Sequence, residues 1–199
     1  MALCYSRKVR RSLRKVRRCL PLVVVSVAAL GASACGNSSG SGSPAIDRKP
    51  KTTVPLPAGR YPSAISKEVC SSEAQKDFNE VLGVTAVVQT PTWLDHLYAC
   101  RYTYPTGSMV LSVKELSSWT QTKSYFASLG TQLGDVGSLG NLGQGAFTTT
   151  DGSVVVRKDW KVLLVDISGL PAQFGVPPTS KGDIADTVSD VILGCWAGD

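Results

Sequence analysis

The sequence has a single histidine, His96, among 199 residues, and this scarcity limits its chemistry. Metal centres usually combine several His and Cys ligands, whereas this chain has no C-x-x-C pair. Asp95 precedes His96, but adjacent side chains point in different directions on most backbones, so the two are no ready dyad. A G-x-S-x-G nucleophile elbow is also missing. We therefore expect no metal, no cofactor and no catalytic residue, and we expect His96 at the surface or in a turn.

Phosphate-binding motifs are missing too, although residues 134–145 are rich in glycine. A P-loop ends in Gly-Lys-Ser/Thr, and a dinucleotide site needs G-x-G-x-x-G between a strand and a helix. Neither pattern occurs here. The segment predicts a loop whose glycines permit positive φ, with a mobile lid over a pocket as the second interpretation.

Carboxylates offer no clear pair. Glu115 and Asp166 are two of several acids that could meet, but nothing in the pattern selects them. Asp183, Asp186 and Asp190 share one predicted helix, which is typical of a solvated face and less often of a calcium site.

Long basic runs are absent from the chain after residue 34. The whole sequence has 21 Lys and Arg against 15 Asp and Glu, but the first 34 residues hold eight of these basic residues and no acid. The remainder has 13 basic and 15 acidic residues, a net charge of −2. A nucleic-acid partner is therefore not expected.

The basic stretch is followed by an apolar segment, Leu20 to Leu30, and then by Ala32-Ser33-Ala34. A charged region, an apolar region and a small-residue end together make a secretory signal. A membrane-spanning helix needs about 20 apolar residues, and this segment is shorter, so an uncleaved anchor is the weakest alternative. Cleavage is expected before Cys35.

Ala32-Ser33-Ala34-Cys35 resembles the bacterial lipobox, in which the cysteine becomes the first residue and carries diacylglycerol. The sequence departs from the pattern at Ala32, where leucine is usual, so ordinary signal-peptidase cleavage at the same bond is the alternative. The resemblance implies a protein attached to the membrane through lipid on Cys35, on its extracytoplasmic face. The alternative cleavage would make the protein secreted.

The composition then divides the chain into three parts. Residues 1–34 are the predicted signal peptide, and residues 35–62 are a Gly-, Ser- and Pro-rich tether. Residues 63–199 form the predicted globular domain, which is long enough for one core.

Three cysteines remain in that domain, and an exported domain can keep disulfides. An odd number predicts one bridge and one remaining thiol. Cys70 and Cys100 are favoured as the bridge because they lie at the start of a helix and in the strand that follows. Cys70–Cys195 is the competitor, so Cys195 is either the remaining thiol or an alternative partner.

Apolar periodicity predicts three helices. The first runs from Ser71 or Ser72 to Leu82 with a Ser72–Gln75 capping box, the second begins at Ser117 or Ser118, and Ser180 with Asp183 caps the last. Trp119 is expected on the buried face of the second helix, beside Phe126, Leu129 and Leu133. Together with Trp93, Trp160 and Trp196 it is expected in the core or at its rim, and a sugar-stacking platform is the minor alternative.

Alternating runs predict strands over 97–104, 109–116, 146–150, 153–158 and 161–167, and Val84 to Gln89 is a further candidate for a short strand. Val162 to Val165 is continuously apolar, which places its strand in the centre of the sheet. The predicted class is α+β, with an antiparallel sheet of about five strands in hairpins and about three helices packed mainly on one face.

The mature chain also resembles a group of small actinobacterial cell-envelope lipoproteins. The features that carry the likeness are the lipobox with its Ser/Gly tether, Cys70 before a helix, Cys100-Arg101-Tyr102, Leu142-Gly143-Gln144-Gly145-Ala146 and the alternation from Val188 to Trp196. The resemblance implies a cell-surface α+β module and transfers no catalytic residue.

We therefore expect a non-enzymatic module that binds an unknown envelope protein or a small apolar ligand. The alternative is a hydrolase whose site is assembled from scattered residues around Asp95, His96 and the glycine segment.

Overall fold

A computed structural model of the protein describes residues 55–196. The predicted signal peptide and the lipid site at Cys35 lie outside these residues. The helices are α1 (Ala64–Lys67), α2 (Ser72–Leu82), α3 (Trp119–Leu133) and α4 (Lys181–Cys195), with a 3-10 turn over Glu68–Cys70. The strands are β1 (Val87–Val88), β2 (Thr92–Leu94), β3 (Leu97–Tyr104), β4 (Gly107–Glu115), β5 (Asp135–Leu139), β6 (Ala146–Thr149), β7 (Val154–Lys158), β8 (Lys161–Asp166), β9 (Gln173–Phe174) and β10 (Thr179–Ser180).

The main sheet confirms the α+β class and is larger than expected. Its eight strands follow the order β1-β3-β4-β8-β7-β6-β5, with β2 also paired to β3. Each pairing is antiparallel. The expectation of about five strands was too low, because β2 is too short to show alternation and β5 lies within the glycine segment. Strand β8 is central, as its apolar run predicts.

Antiparallel pairing divides the turns between two ends of the sheet. One end, here called the tether end, carries the Asp95-His96 turn, residues 116–118 and the Asp159-Trp160 turn. The far end carries the Pro105-Thr106 turn, residues 150–153 and residues 167–172. In both named tether-end turns, the two residues have positive φ, between 49° and 60°, as type I′ hairpins require.

Helices α2 and α4 cover one face of the sheet. The alternation expected for β3 holds, since Tyr98, Cys100, Tyr102 and Tyr104 are all buried on this face. They pack with Phe78 of α2 and with the predicted stripe of α4, which includes Ile184, Val188 and Ile192. Phe78 meets Tyr102 edge to face, with ring centroids 5.3 Å apart.

Helix α3 lies on the other face, against β6, β7 and β8. A second, smaller core forms there from Leu129, Phe147, Val155 and Val162. Phe126 and Leu133 pack against this core, as expected. Trp119 does not, because as the first residue of the helix it lies over the end of the sheet, where it is 37% exposed.

Helix caps follow the sequence with one correction. The N-cap of α2 is Ser71, whose hydroxyl accepts from the Ala74 amide (3.0 Å), and not Ser72. Ser118 and Ser180 cap α3 and α4 as predicted. Gly83 ends α2 in the left-handed region, φ 64°, which glycine adopts without strain.

The glycine segment is only partly a loop. Asp135–Leu139 forms β5 at one edge of the sheet, paired with β6. The register shifts between Asp135 and Gly137, which leaves Val136 in a bulge, 62% exposed. Within this segment, positive φ occurs at Gly134, Gly143 and Gly145 and also at Asn141.

Candidate binding surfaces at the two ends of the sheet

Residues 55–62 lie against the tether end through several hydrogen bonds. Ordered contacts therefore begin before Ser63, where the sequence placed the start of the domain. The bonds run from the Ala58 amide to the Leu116 carbonyl (3.1 Å), from the Trp93 indole to the Arg60 carbonyl (3.0 Å) and from His96 Nδ1 to the Gly59 carbonyl (3.0 Å).

The tether end exposes large apolar and aromatic side chains. Leu56, Tyr61 and Leu94 are each at least 71% exposed, and Trp119 is 37% exposed. The indole of Trp93 is half-buried beneath this surface, edge to face with His96 at 5.8 Å. Single exposed apolar residues are ordinary, whereas several at one end indicate a contact surface.

Arg157 adds a cation to this end. Its guanidinium lies 4.6 Å from the Trp119 ring centroid and 5.5 Å from that of Phe126, a stacking arrangement typical of arginine. Gly145 makes room for it, because a Cβ there would lie 2.7 Å from Nε. Among the described residues, its buried Nη1 has no hydrogen-bond partner. The Lys123 ammonium lies 6.0 Å from the same Trp119 ring.

Glu115 is the buried acid of the tether end, only 5% exposed. Its Oε1 accepts from the Ser63 amide (2.7 Å) and from the Ser66 hydroxyl. Because these donors belong to the first turn of α1 and the residue before it, the carboxylate fastens α1 to the end of β4. This role is structural. Asp166 pairs with Val110 on the same ladder, about 17 Å along the strand from Glu115, so the two carboxylates do not form a pair.

His96 lies in the β2–β3 turn, which confirms the expected turn position. Asp95 precedes it, and the Asp95 carbonyl accepts from the Lys114 ammonium. The glycine segment lies beside β6, four strand spacings from β3, or about 19 Å. The structure therefore does not bring Asp95 and His96 together with the glycine segment.

A small cleft opens towards the far end, between α2, α4 and residues 174–179. Its volume is about 60 Å³, room for a few water molecules or one side chain. The lining is mixed in polarity and consists of Val81, Leu82, Phe174, Gly175, Pro177, Thr179, Ile184 and Thr187. The exposed Val176 lies beside the cleft and close to Gly83. If Gly83 carried a Cβ, that atom would lie 3.1 Å from the Cβ of Val176.

Carboxylates gather around the far end. Burial alone would raise the pKa of Asp151, but hydrogen bonds from Thr149 and Ser153 outweigh it and lower this pKa. On α4, burial together with the neighbouring Asp183 and Asp190 raises the pKa of Asp186. Among the described residues, no three His, Cys, Asp or Glu side chains are placed to hold a metal ion.

The predicted Cys70–Cys100 disulfide is present, with Cα atoms 5.7 Å apart. The bridge joins the start of α2 to the middle of β3 and rules out the Cys70–Cys195 alternative in this structure. Cys195 is half-buried near the end of α4. Trp196, which follows, is buried and donates from its indole to the Ile65 carbonyl (3.2 Å). Over residues 55–196, no helix has the length and apolarity that crossing a bilayer requires.

Sequence reasoning missed the tether-end surface. Its members are Leu56, Tyr61, Leu94, Trp119 and Arg157, which lie far apart in the chain. The one local signal was Leu56 and Tyr61, two large apolar residues in a Pro-rich stretch without a core to bury them.

No family model matches this chain, and comparisons with curated proteins and with solved structures found no match.

Proposed function

We propose that this protein is a lipid-anchored component of the bacterial cell envelope that binds a protein partner outside the cytoplasmic membrane. The observation that carries the proposal is the Cys70–Cys100 disulfide. Disulfides persist in exported proteins and are rare in the cytosol. The bridge therefore agrees with the secretory signal that precedes it in the sequence.

The lipid is assigned to Cys35, the cysteine of the sequence Ala32-Ser33-Ala34-Cys35. The 20 residues from Cys35 to residue 54 then connect the lipid to the described domain. The resemblance to small actinobacterial envelope lipoproteins supports the same location.

Binding is favoured over catalysis because the reactive side chains of the domain have structural partners. Glu115 fastens α1, and His96 holds the Gly59 carbonyl. The hydrolase alternative needs Asp95, His96 and the glycine segment in one site, and these lie about 19 Å apart.

For the cleft between α2 and α4, a side chain of a protein partner is favoured over a small apolar ligand by size. Pockets for small ligands usually enclose about 300–1,000 Å³, whereas this cleft has about 60 Å³. Such a volume suits one side chain of a partner protein that covers Val176 and the surrounding surface.

Intact mass of the protein extracted from membranes tests the anchor. The wild-type mass should correspond to a chain that begins at Cys35 and carries diacylglyceryl. Cys35→Ala should lose the lipid and leave the membrane fraction, whereas the control Cys195→Ser should keep both. An unlipidated wild-type chain in the medium would refute the anchor and leave a secreted protein.

A further inference from the structure

The charge of the mature chain changes sign close to the start of the domain. Residues 48–67 contain five basic residues and no acid, whereas residues 68–199 contain eight basic and fourteen acidic residues. The basic stretch therefore has a charge of +5 and residues 68–199 a charge of −6. An exported protein that is acidic elsewhere has concentrated its positive charge in the segment that leads from the tether.

The same segment brings apolar side chains to the surface. Residues 58–60 are bonded to Leu116, Trp93 and His96, so the neighbouring Leu56 and Tyr61 lie at the same end of the domain as Leu94. The Arg60 guanidinium lies over the Tyr61 ring, 5.6 Å from its centroid. Trp119 and Arg157 extend this surface past the ends of β4 and β8.

Exposed Leu, Tyr and Trp among Arg and Lys are the composition of a surface that lies in a membrane interface. Tyrosine and tryptophan favour the headgroup region, leucine reaches the acyl boundary, and basic residues are attracted to anionic headgroups. A protein partner could use the same residues. The position of the surface favours lipid, since it lies where the chain from Cys35 reaches the domain.

We propose that the tether-end surface, together with Arg60 over the Tyr61 ring, docks on the anionic surface of the membrane. This inference rests on the proposed function, because the anchor at Cys35 supplies the proximity. For 20 residues of Gly-, Ser- and Pro-rich sequence, an r.m.s. span of about 25 Å is expected, which corresponds to an effective concentration near the millimolar range at the bilayer. Weak docking is then sufficient to orient the cleft and the acidic far end away from the lipid.

Vesicle sedimentation tests the docking without the lipid anchor. The probe is the mature chain, residues 35–199 with Cys35→Ser, mixed with phosphatidylcholine vesicles with or without 50% phosphatidylglycerol. We expect binding to the anionic vesicles, weakened by salt, and little binding to the neutral ones. Absence of binding to the anionic vesicles would overturn the proposal.

Two pairs of matched variants locate the surface. Leu56→Ser with Leu94→Ser should weaken binding at least about tenfold, because two leucines leave the interface, whereas Val136→Ser with Val176→Ser should leave it unchanged. Arg60→Ser should weaken binding about fivefold, and Lys181→Ser at the far end should not. All four side chains in the apolar variants are at least 62% exposed, so folding is expected to survive, and circular dichroism checks this.

The results distinguish docking in the lipid interface from binding by charge alone and from docking through another surface. If the leucine variant binds like wild type and soluble polyphosphate displaces the protein completely, charge alone is responsible and the docking surface is refuted. If the tether-end and far-end variants lost vesicle binding equally, the docking surface would not lie at the tether end. Because the probe carries no lipid, failure here leaves the test of Cys35 acylation intact, and an unacylated Cys35 leaves this measurement intact.

Discussion

The two ends of the sheet differ in the side chains that they expose. The tether end presents leucine, tyrosine and tryptophan, whereas the large apolar residues exposed elsewhere in residues 55–196 are three valines, Val87, Val136 and Val176. The charges differ as well. Arg60, Lys114, Arg157, Lys158 and Lys161 lie at the tether end with Asp95, Glu115 and Asp159, while Asp135, Asp151, Asp166 and Asp183 lie around the far end with Arg101 and Lys181.

This contrast follows from antiparallel topology. Each strand reverses the chain, so alternate turns meet at the same end even when they are far apart in sequence. In this way, the 94–96 and 159–160 turns lie on either side of the end of β4, where both accept hydrogen bonds from residues 115–116. An antiparallel domain can therefore give its two ends separate tasks, such as facing a membrane and facing a partner.

The largest expected loss of stability comes from removing the Cys70–Cys100 disulfide, which joins the start of α2 to β3. Replacing Cys70 and Cys100 by serine opens a closed loop with a sequence separation of 30 residues, which should lower the free energy of unfolding by about 3–4 kcal/mol. Urea denaturation measures this loss. Cys195→Ser is the control, and an equal loss in that variant would show that the bridge is not the main constraint.

A smaller effect is expected from loosening the tether end alone. Glu115→Ala removes the acceptor for the Ser63 amide and the Ser66 hydroxyl, and unsatisfied buried donors should cost about 2–3 kcal/mol. Glu115→Gln keeps an oxygen acceptor and should lose less. Hydrogen exchange should show faster opening of residues 63–67 with an unchanged far end. Uniformly faster exchange would contradict the independence of the two ends.

The smallest expected change in stability comes from removing one charge of helix α4, that of Asp186. Since the pKa of Asp186 is raised by burial and by Asp183 and Asp190, its ionisation costs stability as the pH rises from about 4 through the folded-state pKa. Asp186→Asn should therefore stabilise the protein at pH 7, by a few tenths of a kcal/mol on the order of exposed-pair energies, and leave stability unchanged at pH 3. Thermal unfolding at both pH values measures this.

The control for that prediction is Asp95→Asn in the exposed tether-end turn, where the left-handed backbone suits asparagine. It removes one negative charge, as Asp186→Asn does, without changing the surroundings of Asp186. A matching pH-dependent gain in the control would mean that net charge, and not the surroundings of Asp186, sets the effect.

Periodicity predicted the elements whose residues alternate between core and solvent. These include α2, the β3–β4 hairpin, the central strand β8 and α4. The Cys70–Cys100 bridge was predicted separately, from the number of cysteines and their positions. It missed β2, since Asp95 and His96 make a tight turn without the usual glycine. The pattern also shows which side of α3 is buried, but it cannot show that this helix crosses to the other face of the sheet.

The tether-end surface was beyond sequence reasoning for a related reason. Which residues share an end depends on strand register, and register joins Leu94 to Leu97 and Glu115 to Lys161 only once the whole sheet is formed. The basic stretch from 48 to 67 is visible in the sequence. Its partners Leu94 and Trp119 are not.

The bulged edge strand β5 bears on whether two copies of the sheet can pair edge to edge. The proposed lipid anchor would confine copies to a plane and raise the frequency of their encounters, and a flat exposed edge would then pair with the edge of a neighbour. In β5 the register shift at Val136 breaks the regular ladder, and Gly137 gives a second copy little to pack against. The glycine segment thus protects the sheet from edge-to-edge aggregation.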